Sequence, residues 1–456
     1  MNKTTRTVII VVLAVLAVLI LALCQNALKP NTPPNAAEIW NKIDEAMSSV
    51  TSMELTVTTN RVYYQDDNRY EFTGTKYVLS TTDAHYTESK SMLVCEAMEL
   101  EETLQQVDAY YGGKLYRSVQ SNGYNQKLCS AMTHEEYDQM HSGEPTNEIP
   151  LIGCNESAVS GSESDGWVLT FSGYESKNIE QTIQNFGLSQ ESLGGVIVDM
   201  KVVISVSADY HVKTIDVTFA FEDAEGENTP SISVNTAYTG YNEVVFDPAR
   251  LNQEEYVEVE DIRLLDKLSQ DLVQLQNVQL GQFELTKNTT EVYHKQTTTY
   301  KEQSTMIYGW KDSRYFYLSN NILDGKTSVV HYENGKQTIV SDDPAYPVAV
   351  PEVEAKAFVD GLIDTARYDP FAIKSIEKVS DGVYLLTSDR PNLADYETAG
   401  MELSTSNQQI AVTYENGKLV KIESILAFSA IYQEQTVEVK TEATIVFTEI
   451  TEVPEM

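Results

Sequence analysis

The chain has 456 residues, of which 42% are hydrophobic and 9% aromatic, a composition typical of a folded protein. This length exceeds what one ordinary core holds and indicates two or three domains. The 68 acidic residues against 32 lysines and arginines give a formal charge of −36, which repels phosphate backbones and anionic lipid surfaces. Nucleic acid is therefore not expected as a partner.

Residues 1–24 combine a short tail with a transmembrane or signal segment. Lys3 and Arg6 precede the apolar run Val8–Leu23, which forms about 25 Å of helix. That length is slightly short for a bilayer core of about 30 Å and long for a cleaved signal peptide. We therefore expect the rest of the chain to lie outside the cytoplasm, at the bacterial cell surface. The tail is too short to form a cytoplasmic output domain.

Cys24 follows this apolar run and occupies the position of the acylated cysteine in a bacterial lipoprotein. Leu23 departs from that pattern, because a small residue is expected before the cysteine. Three alternatives follow: a retained single-pass anchor, a lipid anchor on Cys24, or cleavage and release. Residues 25–36 contain three prolines and are predicted to be a stiff linker between the membrane and the folded part.

The same succession of a helix and a strand occurs twice after the linker. Apolar residues at helical spacing within 39–50 precede an alternating strand that begins at Met53. Apolar residues at the same spacing within 262–275 precede a strand that begins at Phe283. The repeated order indicates that a helix leads each of two similar domains.

Turn motifs in the two halves also match in order. Asp165-Gly166 precedes a predicted strand in the first half, and Asp381-Gly382 precedes one in the second. Both halves end on a long alternating strand. We therefore predict a tandem duplication, with a first domain at 37–249 and a second at 250–456.

The predicted fold class is α+β. Asn-Gly and Gly-Gly turns supply the positive φ angles of two-residue hairpins, so consecutive strands are expected to be antiparallel neighbours. Each domain is predicted to be a large twisted antiparallel sheet, covered by its leading helix and by short helical insertions. The predicted insertions are 133–142, 178–186, 352–366 and 392–397.

This architecture resembles the LolA/LppX-like group of bacterial lipoprotein and lipid carriers. The resemblance covers 37–249 and 250–450 and includes the Tyr-Glu-Asn-Gly-Lys hairpin motif at Tyr332–Lys336 and Tyr414–Lys418. It implies an unclosed β-barrel, a half-barrel capped by helices over an apolar cavity that binds a lipid, an acylated protein or another hydrophobic molecule. The chain departs from the group in being duplicated and tethered, and no ligand-binding residue of the group maps onto it.

The cysteine and histidine residues give little support for a catalytic or metal-binding site. Cys129 and Cys154 flank a predicted helix and are the candidate disulfide, with buried thiols as the alternative. His134, Asp138 and His141 share a helical face, but their spacing departs from that of a zinc protease helix, so a solvated polar face is the preferred interpretation. We predict no metal site, no cofactor and no catalytic centre, because no nucleophile elbow, phosphate loop or dinucleotide motif occurs.

Apolar and aromatic residues on the predicted strands and helices are the candidates for lining a cavity. A ring-rich hairpin at Tyr308–Tyr317 either lines such a cavity or packs in a core, and packing is the commoner role of such rings. The candidate cavity residues are Leu55, Val57, Leu285, Trp310, Phe358 and Leu362.

Three functions remain open at this point. The first is a membrane-anchored carrier or binding protein for a lipid or another hydrophobic ligand, which requires an apolar interior larger than packing needs. The second is a structural or interaction protein that meets an envelope partner through an exposed apolar patch. The third, an enzyme with a site assembled from distant residues, is the least expected, so the chain is predicted not to be an enzyme.

Overall fold

The computed structural model describes most of the chain after the linker. Val8–Leu23, Cys24 and most residues of the predicted helices at 178–186 and 392–397 lie outside the described residues. Of the part described, no helix is both long and apolar enough to cross a bilayer. The described residues are 34–65, 68–121, 124–141, 154–175, 177, 179, 196–222, 230–293, 295–311, 314–333, 336–341, 352–363, 369–388, 402–432 and 435–450.

The described elements are mostly strands, as the sequence predicts. The α-helices are α1 (Pro34–Ser48), α2 (His134–His141), α3 (Arg263–Gln276) and α4 (Glu352–Ile363). The first strands are β1 (Met53–Gln65), β2 (Asn68–Ser80), β3 (Ala84–Cys95), β4 (Leu100–Tyr111), β5 (Lys114–Ser121), β6 (Tyr124–Ala131), β7 (Cys154–Ser162), β8 (Gly166–Tyr174), β9 (Ile197–Val206), β10 (Val212–Phe221) and β11 (Ser231–Tyr241).

The later strands continue this numbering. They are β12 (Val257–Glu258), β13 (Leu280–Tyr293), β14 (Gln296–Lys311), β15 (Arg314–Leu323), β16 (Lys326–Glu333), β17 (Lys336–Ser341), β18 (Ile373–Ser380), β19 (Val383–Ser388), β20 (Glu402–Glu415), β21 (Lys418–Tyr432) and β22 (Gln435–Glu449). Valine, threonine and tyrosine recur along them, which suits a pleated, half-buried surface.

Two open sheets contain these strands, and each of two compact units holds most of one sheet. The first unit ends at Tyr256, and the second comprises Leu128–Ser130 and the chain from Val257 onward. The first sheet has the order β12-β6-β5-β4-β3-β2-β1-β11-β10-β9-β8-β7, with the short β12 parallel to β6. The second has the order β17-β16-β15-β14-β13-β22-β21-β20-β19-β18. The prediction of two large antiparallel sheets is confirmed.

The two sheets share one connectivity. In each, strands are added outward from the first strand, the chain then crosses to the opposite edge, and a second series of strands returns. The returning series ends when the last strand pairs with the first, β11 with β1 and β22 with β13. Such a shared connectivity is what a tandem duplication would produce, although the duplication itself remains a prediction.

The leading helix of the first unit packs on one face of its sheet, which we call the inner face. Ile39, Trp40 and Ile43 of α1 lie in one buried cluster with side chains of β8 to β11, including Phe171 and Val217. Helix α2 lies on the same face, because Tyr137 stacks on Tyr110 of β4 with ring centroids 4.8 Å apart. The opposite face is called the outer face.

The second unit follows the same plan. Leu264, Leu265, Leu268 and Leu272 form the buried stripe of α3. The Tyr308 hydroxyl of β14 donates to the Leu275 carbonyl, 2.8 Å away, which places α3 on the face that carries Tyr308. That face is the inner face of the second sheet, and burial there raises the pKa of Tyr308 above its usual range.

The segment after β11 covers part of the first sheet's outer face. The Phe246 ring lies 5.7 Å from that of Tyr86 and 5.1 Å from that of Tyr111. The Arg250 guanidinium lies 4.7 Å from the Tyr77 ring centroid, a cation–π contact. Because these contacts run along β2 to β4, this end of the sheet is covered on both faces.

Gly166 and Gly382 end corresponding turns in the two units, and neither position has room for a side chain. Gly166 has φ +88, and a Cβ there would lie 2.1 Å from the Val206 carbonyl oxygen. Gly382 has φ +73, and its Cβ would lie 2.3 Å from the Tyr414 carbonyl oxygen. In both units the glycine therefore lets the second series of strands pair closely at the turn.

Replacement of Gly382 tests this requirement. Gly382→Ala is expected to lower the free energy of unfolding by roughly 3 kcal/mol, from the positive φ and the steric clash together. Gly417→Ala is the matched control, because Gly417 has φ +81 with nothing within 4 Å of its Cβ position. The control should lose only about 1 kcal/mol. The free energies of unfolding are measured by equilibrium urea denaturation. If the two variants lose equal amounts, the steric clash with Tyr414 does not contribute to the loss.

Candidate functional site

The strands of the first sheet extend well beyond the leading helix. The 13 residues of β1 span about 44 Å, whereas the 15 residues of α1 span about 22 Å. Of the β1 side chains, Val57 packs against the cluster beneath α1. The part of the inner face around Arg61 and Tyr63, where both side chains are only partly buried, is the candidate site.

One row of cross-strand neighbours defines this site. Arg61 of β1 lies directly opposite Phe72 of β2 and, on its other side, Ile232 of β11. Phe72 in turn lies opposite Leu93 of β3, which lies opposite Glu102 of β4. Residues paired in this way share a face of the sheet. Arg61 is thus flanked by apolar side chains on both neighbouring strands.

Phe72 and Leu93 are only half-buried, although both are apolar. The Phe72 ring leans over Gly74, since a Cβ at Gly74 would lie 3.0 Å from the ring. Gly74 lies opposite Ser91, and Ser91 lies opposite the half-buried Leu104. These residues form an apolar floor with partial access to solvent, which a ligand's hydrocarbon is able to cover.

Two tyrosines extend the row toward the end of the β1–β2 hairpin. The rings of Tyr63 and Tyr70 are stacked, with centroids 4.9 Å apart and planes inclined by 11°. The Arg61 guanidinium lies 4.0 Å from the Tyr63 ring centroid. Burial lowers the pKa of Arg61 from its ordinary value, because a charged group loses hydration there. A cation in such surroundings is favoured by an anion or by π faces.

The inner face of β1 to β3 is basic, in contrast to the whole chain. Its ionised side chains are Arg61 and Lys76, and the register places no Asp or Glu of these three strands, as described, on that face. Lys76 lies opposite Val57, two rows from Arg61, with Gly74 in the row between. The apolar floor therefore lies between these two cations and Glu102 of β4, which is opposite Leu93 on the same face.

The second sheet differs at the corresponding place. Glu291 lies on the inner face of the leading strand β13, opposite Thr298 of β14. On the inner face nearby, Thr289 and Thr441 are buried with their hydroxyls 3.2 Å apart, and Glu302 lies opposite Lys287. This face is more polar than that of the first sheet and carries acidic groups.

The predicted cavity residues are dispersed over both units. Leu55 and Leu285 are buried, and Val57 packs in the cluster beneath α1. Trp310 is 37% exposed near the end of β14. The backbone of α4 contains Phe358 and Leu362, but their side chains lie outside the described residues. Leu55, Val57 and Arg61 all lie at odd-numbered positions of β1, so their side chains share one face of the sheet. This two-residue periodicity could have identified Arg61 from sequence.

The cysteines do not form the predicted pair. Cys129 on β6 and Cys154 on β7 are separate thiols, not a disulfide. Nine strands stand between β6 and β7 in the sheet order, because the chain crosses from one edge to the other between them. A disulfide needs Cα atoms within about 7 Å, and this topology does not support one.

Among the described side chains of α2, the acidic and histidine residues are not grouped as a metal site. His134 Nε2 lies 4.0 Å from Asp138 Oδ1, and the His134 ring packs against Tyr110 with centroids 5.4 Å apart. The side chain of His141 lies outside the described residues. In the part of the chain that the structure describes, no cluster of three or more His, Cys, Asp or Glu is placed to bind a metal ion.

A second concave feature lies on the outer face of the second sheet. It is a groove of about 370 Å³ across β13, β22, β21 and β20. Its side chains include Thr290, Asn407, Ala427, Glu438 and Lys440. The lining also includes the apolar residues Val292, Phe428 and Val439.

Comparisons with known proteins do not assign a family. No protein-family model and no curated protein matches the chain. Among solved structures, a DUF1329 family protein from Desulfovibrio piger is 10% identical and covers 41% of this chain and 91% of its own, with a TM-score of 0.17. A candidate outer membrane protein from Bacteroides fragilis is 7% identical and covers 88% and 98%, with a TM-score of 0.17. At such TM-scores neither likeness assigns a fold family or a function to this chain.

The role of Phe72 is testable through stability. Phe72→Ala is expected to lower the free energy of unfolding by about 1 kcal/mol, since its ring is only half-buried. Phe171→Ala is the matched control in the core beneath α1, where Phe171 is 2% exposed, and should lose about 3–5 kcal/mol. If chemical denaturation shows equal losses of unfolding free energy for the two variants, Phe72 is a core residue and does not belong to the site.

Proposed function

We propose that the chain is a membrane-anchored, extracytoplasmic binding or carrier-like protein for a lipid or another hydrophobic molecule, and that it is not an enzyme. The observation that carries the proposal is the half-buried apolar floor of Phe72, Leu93 and Leu104 on the inner face of the first sheet. Well-packed cores bury such side chains, whereas binding grooves leave them partly accessible.

The position of the floor supports the same function. It lies on the face that bears α1 and α2, so a ligand there would lie beside helices on a concave or twisted sheet. The apolar run Val8–Leu23 and Cys24 support attachment to a membrane, from which a hydrophobic ligand would come. The shared connectivity of the two sheets supports a duplicated carrier with one site in each unit, in keeping with the half-barrel of the LolA/LppX-like group.

Native mass spectrometry of the full chain, purified gently from its host, tests the proposal. We expect a mass excess from a bound apolar molecule that solvent extraction recovers. Leu93→Asp should abolish this excess, because a carboxylate on the floor repels hydrocarbon. Val168→Asp is the control, because Val168 is 37% exposed and its side chain points away from Leu169 in the core beneath α1. An unliganded wild type that also takes up no added lipid would contradict the proposal.

A second candidate function, an interaction protein of the cell envelope, is favoured by a different surface. Ile425 and Ile431 of β21 are 41% and 45% exposed on the outer face of the second sheet. An exposed apolar strand surface beside a groove is suited to a protein partner. This function predicts that the full chain is unliganded and crosslinks to an envelope protein in cells. Ile425→Asp should abolish this crosslinking, whereas Leu93→Asp should leave it unchanged.

A further inference from the structure

We propose that the inner face of the second sheet binds an uncharged single-chain amphiphile, with a hydroxyl of its head at the Gln408 amide and its hydrocarbon along the row from Leu426 to Tyr300. This inference rests on the proposed function and names the ligand of the second unit. It uses neither the floor around Phe72 nor the groove on the outer face.

The first support is the buried amide of Gln408. This side chain lies on the inner face of β20 and is only 6% exposed. Its Nε2 donates to the Ser424 hydroxyl, 3.3 Å away, whereas its Oε1 is shielded from water and has no hydrogen-bond partner among the described residues. A buried acceptor without a donor is unfavourable. A ligand that brings an O–H group to Oε1 therefore gains a hydrogen bond that the sheet alone does not make.

One row of cross-strand neighbours leads from this amide to solvent. Gln408 lies opposite Leu426 of β21, which lies opposite Thr441 of β22. Thr441 lies opposite Thr289 of β13, and Thr289 lies opposite Tyr300 of β14. Leu426 is half-buried although both of its neighbours in the row are buried, and Tyr300 is 41% exposed. The row thus keeps accessible apolar surface both at its exposed end and directly beside Gln408.

The middle of the row is suited to hydrocarbon. Thr289 and Thr441 are buried, and their hydroxyls lie 3.2 Å apart in a hydrogen bond. Because each hydroxyl has a partner, a hydrocarbon chain that passes over the pair leaves neither without a hydrogen bond. The buried side chains of Phe428 and Val439 lie in the next row on the same face. Apolar side chains therefore border the row along β21 and β22.

The length of the row suits one acyl chain. From Leu426 on β21 to Tyr300 on β14 there are three strand spacings, about 14 Å along the sheet. One acyl chain spans half of a bilayer core of about 30 Å. A chain whose head lies at Gln408 therefore reaches the exposed end of the row.

The ionised groups of this face lie away from the amide. Lys287 and Glu302 are opposite each other in the row on one side, and Glu291 lies in the row on the other side, all on β13 and β14. On the described sheet, the neighbours of Gln408 on β19, β20 and β21 are uncharged. A charged head at Gln408 would lose its hydration without a counter-ion, so an uncharged head is expected. The charges in both flanking rows also disfavour a second hydrocarbon chain there.

Photolabelling of the full chain in nanodiscs of dioleoylphosphatidylcholine, a lipid without hydroxyl donors, tests the inference. The probes are a 1-monoacylglycerol with a diazirine at the end of its acyl chain and the diacetate of the same molecule, which has no hydroxyl. We expect the monoacylglycerol to label peptides of β13 and β14 with a half-maximal concentration about tenfold below that of the diacetate, equivalent to about 1.4 kcal/mol. Peptides of β1 to β4 should show no such preference.

Three variants locate the preference. Gln408→Leu should remove the tenfold difference and leave labelling by the diacetate unchanged. It should also shift urea denaturation of the unliganded chain to higher concentration, because an apolar group replaces an unsatisfied amide. Gln408→Met, which is closer to glutamine in shape, covers the case in which Gln408→Leu does not fold. Gln409→Leu is the matched control and should keep the difference, because Gln409 is exposed on the outer face.

The outcomes are distinguishable from those of the proposed function. Equal labelling of β13 and β14 by the two probes, or a preference that survives the Gln408 variants, overturns the inference while binding of hydrophobic molecules stands. Labelling of β20 and β21 in place of β13 and β14 overturns the assignment of the head to Gln408. Labelling of the first unit alone overturns the assignment to the second sheet. Failure of both probes to label either unit contradicts binding itself, and the inference with it.

Discussion

Each sheet depends on the pairing of its first strand with its last. Ten residues of β1, from Met53 to Val62, pair with β11, and twelve of β13, from Gly281 to Val292, pair with β22. This pairing joins two separate series of hairpins into one sheet. It closes a loop of 168 residues, between Val62 and Ser231, in the first sheet and one of 145 residues, between Val292 and Glu438, in the second. Because closing so long a loop costs chain entropy, the long hydrogen-bonded ladder and the side chains packed along it must offset that cost.

The same pairing determines where a helix is able to lie. The leading helix is followed directly by the first strand, so α1 returns over the strands next to β1 and packs on the returning series. The inner face of β2 and β3 keeps apolar side chains, of which Phe72 and Leu93 remain half-buried.

Local features of this fold could be predicted from sequence, and non-local ones could not. The hairpin at Asn416-Gly417 has both residues at positive φ, as its dipeptide indicates. Helices α1, α3 and α4 lie where apolar spacing predicts them, and α2 lies within the insertion predicted at 133–142. The pairing of Cys129 with Cys154 was wrongly preferred, because closeness in sequence does not reveal that the chain crosses the sheet between them. Likewise, alternation places Arg61 on the face of Leu55, but only the fold places Ile232 beside it.

Charge gives the two units different chemistry on one connectivity. On the inner face of its leading strand, the first unit has Arg61 in a row with Phe72 and Leu93, and the second has Glu291 near paired threonines. Neither residue is needed for the sheet, since backbone hydrogen bonds and the core beneath the helices hold it. Two units that share one connectivity but carry different side chains on their inner faces are able to bind different molecules.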